Sequence, residues 1–273
     1  MRYKGVQFFG ARVIAVWLLL IAPFANGFSF TTFDFAPFSY HDQQGKASGP
    51  LVELINLVCI EMNEECSFKL VPNRRAKKMA ASGQTGGIFP LGWNEGRRDD
   101  YYFSVPLLVT EYGLYVPSKH KGKLNSLEGL QGYKVGVFGP SNTYTSLLEL
   151  QNQMVEKGLK PMNIIVKTDA NGQIIQMLAK ERFDAYYTNR AVAEHRTHQF
   201  SVKGVEYAWH HKSVMYFIGF PRRTTDPEWV RRFNQTALKI IQTENTFQWI
   251  LEQYGLESAP ISEQLLITHG ILH

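Results

Sequence analysis

The sequence predicts an α/β protein built on parallel sheets. Three observations carry this. Short runs rich in β-branched and aromatic residues alternate with amphipathic runs of helical period, the pattern of β–α layers. The chain has 273 residues, 44% hydrophobic and 19% charged, which suits one large or two modest cores and excludes a disordered or collagen-like chain. No internal repeat or low-complexity run interrupts the alternation.

The elements follow in order. Residues 28–35 (FSFTTFDF) alternate and read as a first strand, broken by Ala36-Pro37-Phe38. His41 to Gly49 is polar and turn-like. Pro50 opens a helix in which Leu51, Leu54, Ile55, Val58 and Met62 form one apolar stripe. Residues 67–71 read as a strand and 74–81 as a short basic helix, with Arg74, Arg75, Lys77 and Lys78 on a solvated face. Gly86 to Pro90 is an apolar strand that opens into the loop from Gly92 to Arg98, and Tyr101–Pro106 leads to a strand at 111–116. Leu127–Gly132 is a turn. Strands at 133–138, 163–167 and 184–188 alternate with helices at 144–157, after Asn171 as a cap, and after Thr188. Separate strands are expected at 205–209 and 214–220, then closing helices at 228–242 and 246–254.

The amino-terminal segment reads as a secretory signal peptide. Met1–Arg12 is basic, Val13–Ala22 is an apolar run of ten residues, and Ala25 and Gly27 are the small residues of a cleavage site. Ten apolar residues are too few for a spanning helix, which needs about 20. Arg2, Lys4 and Arg12 supply three of the five excess positive charges, so the mature chain carries +2. That excess is too small to point to nucleic acid or an anionic membrane surface. Export implies an oxidising compartment, where the two cysteines, Cys59 and Cys66, are expected to form a local disulfide. Their spacing is not that of a zinc site.

Six segments in this order resemble the type II periplasmic solute-binding proteins, specifically the amino-acid-binding group of ABC transporters (bacterial extracellular solute-binding protein family 3). They are FAPFSYHDQQGKASGPLVELINLV, VPNRRAKKMAASG, GRRDDYYFSVPLL, LEGLQGYKVGVFGPSN, MLAKERFDAYYTN and FNQTALKIIQTENTFQWILEQYGL. The Cys59–Cys66 pair falls where some members carry a short disulfide. The resemblance implies two α/β lobes, a two-strand hinge and an interlobe cleft: a lobe of 28–115 plus 216–273, and a lobe of 116–215. It implies a monomer that takes a small carboxylate solute, an amino acid or a related compound, in the periplasm and passes it to a membrane permease. A sensory partner, a receptor in place of the permease, fits the same scaffold, as does an enzyme resembling cyclohexadienyl dehydratase.

The resemblance also nominates ligand-binding residues. In the family an Arg ahead of the F-S-x-P segment holds the ligand carboxylate. Counting back from Phe103 selects Arg97, and counting forward from the preceding strand selects Arg98. A guanidinium suits this task because its planar fork gives two parallel charge-assisted bonds. Phe35 and Phe38 lie where the family places a stacking aromatic, and Trp93 is a candidate second wall. Ser141, Asn142 and Thr143 precede a helix whose first N–H groups suit an anionic group. The chain departs from the family at three places: Asn189 stands where many members carry an Asp for the ligand ammonium, the Pro90–Gly92 loop stands where many present hydroxyls, and Gly86 replaces an Asp common in the strand before it.

Other chemistry is not expected. The P-loop, nucleophile-elbow and HExxH patterns are absent from the sequence, and His195, His198, His210 and His211 lack the spacing of a metal pair on one helix face. No cofactor, metal or catalytic residue is therefore expected. Glu95 is the one acidic candidate in the cleft loops, and it has no evident partner.

Overall fold

A computed structural model describes residue 1 and residues 27–124, 126–168, 173–243 and 245–271. The leader, apart from its two end residues, and the Asn171 cap lie outside the described residues.

The first strand, β1 (Phe28–Thr32), is followed by a small hairpin, β2 (Tyr40–His41) and β3 (Ala47–Ser48). Next come α1 (Pro50–Glu61), β4 (Cys66–Leu70), α2 (Asn73–Ala81), β5 (Gly87–Gly92), the short α3 (Glu95–Arg98), β6 (Tyr101–Phe103) and β7 (Leu108–Pro117). The middle of the chain holds β8 (Lys134–Phe138), α4 (Asn142–Glu156), β9 (Asn163–Lys167), α5 (Gln173–Ala179), β10 (Ala185–Asn189) and α6 (Arg190–Gln199). The chain ends with β11 (Val205–Pro221), α7 (Pro227–Thr243), α8 (Thr246–Glu252), β12 (Glu257–Ser258) and α9 (Glu263–Thr268).

Ten strands form one sheet, with the main order β4-β1-β5-β11-β7-β10-β8-β9. Its two flanks are parallel, as the alternation predicts: β4, β1 and β5 on one side, and β10, β8 and β9 on the other. The middle is antiparallel, because β5, β11, β7 and β10 meet head to tail. The long strands β7 and β11 therefore belong to both flanks and join them. Along β7 the partner changes from β12 at Leu108–Val109 to β10 at Tyr112–Tyr115.

The two strands expected at 205–209 and 214–220 are one strand of 17 residues. The polar run His210–Ser213 reads as a break, but its backbone stays paired with β7. Register shifts between Tyr207 and Trp209 and between His210 and Lys212 absorb the irregularity.

Separate cores back each flank. On the first, Leu51, Leu54, Ile55 and Val58 of α1 are fully buried against Phe30, Phe220 and the aromatic residues of α7. Burial of each such side chain contributes about 1.5–3 kcal/mol. On the second, Leu147, Leu150 and Met154 of α4 pack on Val135, Val137 and Tyr187. Cys59 at the end of α1 is bonded to Cys66 at the start of β4, as the spacing and the expected compartment predict. Gly49 enters α1 at φ 109°, and a Cβ there would strike the Phe38 carbonyl. The Leu51 N–H donates to that same carbonyl at 3.2 Å, which ties the loop after β1 to the helix.

Candidate functional site

The loop after β1 is a tight structure of its own. The Phe35 N–H donates to the Ser39 carbonyl at 2.8 Å, the Ser39 hydroxyl donates to the Phe33 carbonyl at 2.9 Å, and Thr32 Oγ1 donates to Ser39 Oγ at 2.9 Å. This holds Phe33 and Phe35 at the edge of a cavity formed between the two flanks. Asn73 and Lys77, four residues apart on one face of α2, form another part of its wall. The end of β5 contributes Pro90 and Gly92, and α3 contributes Arg97. From the other side come Phe138, the Ser141–Thr143 turn at the start of α4, and the two hinge-strand tyrosines, Tyr112 and Tyr216.

The space between these walls is about 70 Å³ and partly open to solvent, which is room for a few waters. The flanks touch across it: Asn94 Nδ2 donates to Asn142 Oδ1 at 3.3 Å, and a Cβ on Gly92 would collide with the Asn142 amide. A larger space of about 570 Å³ adjoins through the shared residues Gly92, Tyr112 and Asn142.

Of the two arginines, Arg97 lines this cavity, and Arg98 is exposed and does not. Arg97 Nη1 donates to the Gly92 carbonyl at 2.5 Å, and no carboxylate pairs with it among the described residues. Burial pushes its pKa below the usual guanidinium value, an effect opposed by nearby Tyr112, Tyr101 and Tyr216. Lys77 is also held below the usual lysine range, by burial first and by the Arg97 charge second. This corrects the reading of 74–78 as a uniformly solvated face, because Lys77 is half-buried.

Ser141 is a true cap of α4. Its Oγ accepts from the Tyr144 N–H at 3.0 Å while its hydroxyl donates to the Phe138 carbonyl at 2.7 Å. Asn142 and Thr143, at the first two helical positions, also border the cavity, and N–H groups there have no intrahelical acceptor.

Besides Arg98, three nominated residues stand apart from this cavity. Phe38 is fully buried in the first core, packed edge-on to Tyr216 and beside Phe35. Trp93 faces the larger space, where its ring meets His269 at 4.9 Å. Asn189 is 2% exposed and caps α6: its Oδ1 accepts from the Val192 N–H at 3.2 Å and from Thr110 Oγ1 at 3.3 Å. Its Nδ2 donates to the Tyr216 hydroxyl at 3.2 Å, which lies 3.5 Å from that of Tyr112. Asn189 thus bears on the cavity through Tyr216. Burial raises the pKa of both tyrosines, so they stay neutral.

Sequence reasoning missed Phe33, Asn73, Lys77, Tyr112, Phe138 and Tyr216. Only the Asn73/Lys77 spacing gave a signal, and an ordinary exposed helix face has the same spacing.

The pattern of the bacterial extracellular solute-binding proteins, family 3, matches residues 30–257. The histidine-binding periplasmic protein of Escherichia coli (strain K12) is 26% identical over 165 residues, a match covering 58% of this chain and 58% of that relative. The chain thus matches little more than half of that relative's length. Among solved structures, a histidine kinase sensor domain with similarity to periplasmic binding proteins aligns with a TM-score of 0.74 at 16% identity, covering 86% of this chain and 98% of that one. An ancestral amino acid-binding protein, a precursor of cyclohexadienyl dehydratase, aligns with a TM-score of 0.67 at 18% identity, covering 83% and 94%. At such identities these two establish the fold alone: two lobes around a cleft. With the family's pattern running through nearly all of the described residues, the chain belongs to the bacterial extracellular solute-binding proteins, family 3.

Proposed function

We propose that this protein captures a small carboxylate-bearing solute, an amino acid or related compound, in the periplasm and delivers it to an ABC transporter. One observation carries the reading: Arg97 is partly buried at a cavity between both lobes, with a backbone carbonyl as its hydrogen-bond partner and no carboxylate beside it among the described residues. A desolvated guanidinium without an anion is costly, and a ligand carboxylate relieves that cost. The solute reaches Arg97 from lobe one and the Asn142–Thr143 turn from lobe two, and hinge closure encloses it. In this reading the leader is removed after Gly27 and the mature chain acts as a monomer. Lobe one is 28–115 plus 216–273, and lobe two is 116–215. The partner change in β7 favours drawing the first crossing a few residues earlier, at Thr110–Glu111.

Binding without turnover is favoured because the residues lining this cavity include no carboxylate and no histidine. Glu95, the acid an enzyme on this scaffold would need, is exposed and borders the outer space. Titration calorimetry with a panel of amino acids and small organic acids tests the proposal. Arg97→Ala is expected to weaken the best ligand by about 3–5 kcal/mol, over a hundredfold, and Arg98→Ala to leave it unchanged. Equal affinity in wild type and Arg97→Ala removes the carboxylate clamp and this function with it.

A further inference from the structure

We propose that the solute is a short dianion without an ammonium group, one acidic group resting on Arg97 and the other on Lys77. This rests on the carboxylate-binding reading above and narrows it.

The two cations come from different helices, α2 and α3, and share one cavity. Neither has a carboxylate partner among the described residues. Unpaired basic side chains elsewhere in the chain are mostly exposed to water, whereas Lys77 and Arg97 are both half-buried and line the same cavity. Lys77 and Arg97 instead face each other's charge, and the Arg97 charge depresses the Lys77 pKa. One carboxylate could neutralise one of them. The second would remain desolvated and unpaired when the lobes close.

The cavity offers an ammonium no charged partner. The residues lining it include no Asp or Glu. The Asn73 amide and the Thr143 hydroxyl supply neutral acceptors only, and others nearby are already engaged. Asn189 Oδ1 takes two hydrogen bonds, Gly92 O takes one from Arg97, and the Tyr216 hydroxyl takes one from Asn189. The faces of Phe33, Phe35 and Phe138 attract a cation only weakly, and two like charges oppose it here. Those rings suit an apolar spacer between two acidic ends. Both cations line the same small cavity, so the spacer between the two ends is short.

Calorimetry on the mature protein, with succinate, glutarate, butyrate, L-glutamine and L-histidine as probes, tests this. The better dicarboxylate is expected to bind at least tenfold more tightly than butyrate, and both amino acids no more tightly than butyrate. Lys77→Met should weaken the dicarboxylate at least tenfold and butyrate less than twofold. Lys77→Arg, which keeps the charge, should restore most of the loss and shows that Lys77→Met acts through charge rather than through folding. If glutamine or histidine binds more tightly than both dicarboxylates and depends on Arg97, the dianion inference falls and the carboxylate reading stands. Unchanged dicarboxylate affinity in Lys77→Met also overturns it. If no probe shows arginine-dependent binding, both fall.

Discussion

Single residues in the hinge strands carry more than their sequence suggests. His211 sits within the irregular stretch of β11, with Nδ1 2.6 Å from the Tyr187 hydroxyl. Burial, helped by the Lys212 charge, pushes its pKa down to about 4 from 6.5. Between those values the unfolded chain holds a proton that the folded chain lacks. Stability therefore rises with pH across that window and is lost as pH falls from about 6.5 toward 4. Urea unfolding at pH 4.5 and 7 should show this loss, and His211→Gln should reduce it. An identical pH slope in the variant would remove His211 from the account. Residue types explain what the sequence hid at this scale. A strand tyrosine such as Tyr112 or Tyr216 reads as core, because burial and cavity lining ask for the same amphipathic ring. Lys77 looked solvated because three basic neighbours on α2 are solvated. Arg97 was legible through the family resemblance, with Arg98 left open beside it.

Elements with a strong period were read most easily. The stripe on α1, the helix expected at 144–157 and the apolar run of β5 all appear, since each buries one face against a core. The hairpin β2–β3, the two-residue β12 and the terminal α9 are too short to show any period. Pairing geometry explains the fusion of two expected strands into β11, and local sequence does not. Two element-level outcomes can be measured. Asn189→Ala removes the α6 cap, worth about 0.5–2 kcal/mol, and strands Thr110 and Tyr216, so a loss of about 2 kcal/mol or more is expected in chemical unfolding. Ligand affinity should fall with it, because Tyr216 loses its donor. A change below about 0.5 kcal/mol would mean that water replaces the cap at no cost. The clasp between α1 and β4 is worth roughly 2–3 kcal/mol on a chain-entropy estimate. The Cys59→Ser, Cys66→Ser double variant should unfold at correspondingly lower urea. Intact mass of the exported wild type should begin at Phe28, with no alkylatable thiol before reduction.

At the scale of the molecule, closure is a matter of how the two lobes meet at Gly92 and Asn142. Gly92→Ala would force the Asn142 amide aside and break its hydrogen bond from Asn94. Such a bond is worth about 1 kcal/mol, so ligand affinity should drop roughly fivefold. Small-angle scattering should find the liganded variant more expanded than the liganded wild type, and equal radii would place the closing contact elsewhere. The carboxy-terminal turn extends this geometry to the mouth of the cleft. After α9, His269 lies against Trp93 and stacks on Phe217 at 5.2 Å, so this turn borders the wider space beside the candidate site. The protein thereby carries its own optical reporter. Indole emission shifts with the polarity around the ring, and Trp93 sits where the lobes part, whereas Trp229 is buried in the first core and Trp249 is out in solvent. Trp209, half-buried on β11, is the one other indole among the described residues placed to respond, so replacing it with Phe leaves Trp93 to report opening and closing with no dye attached.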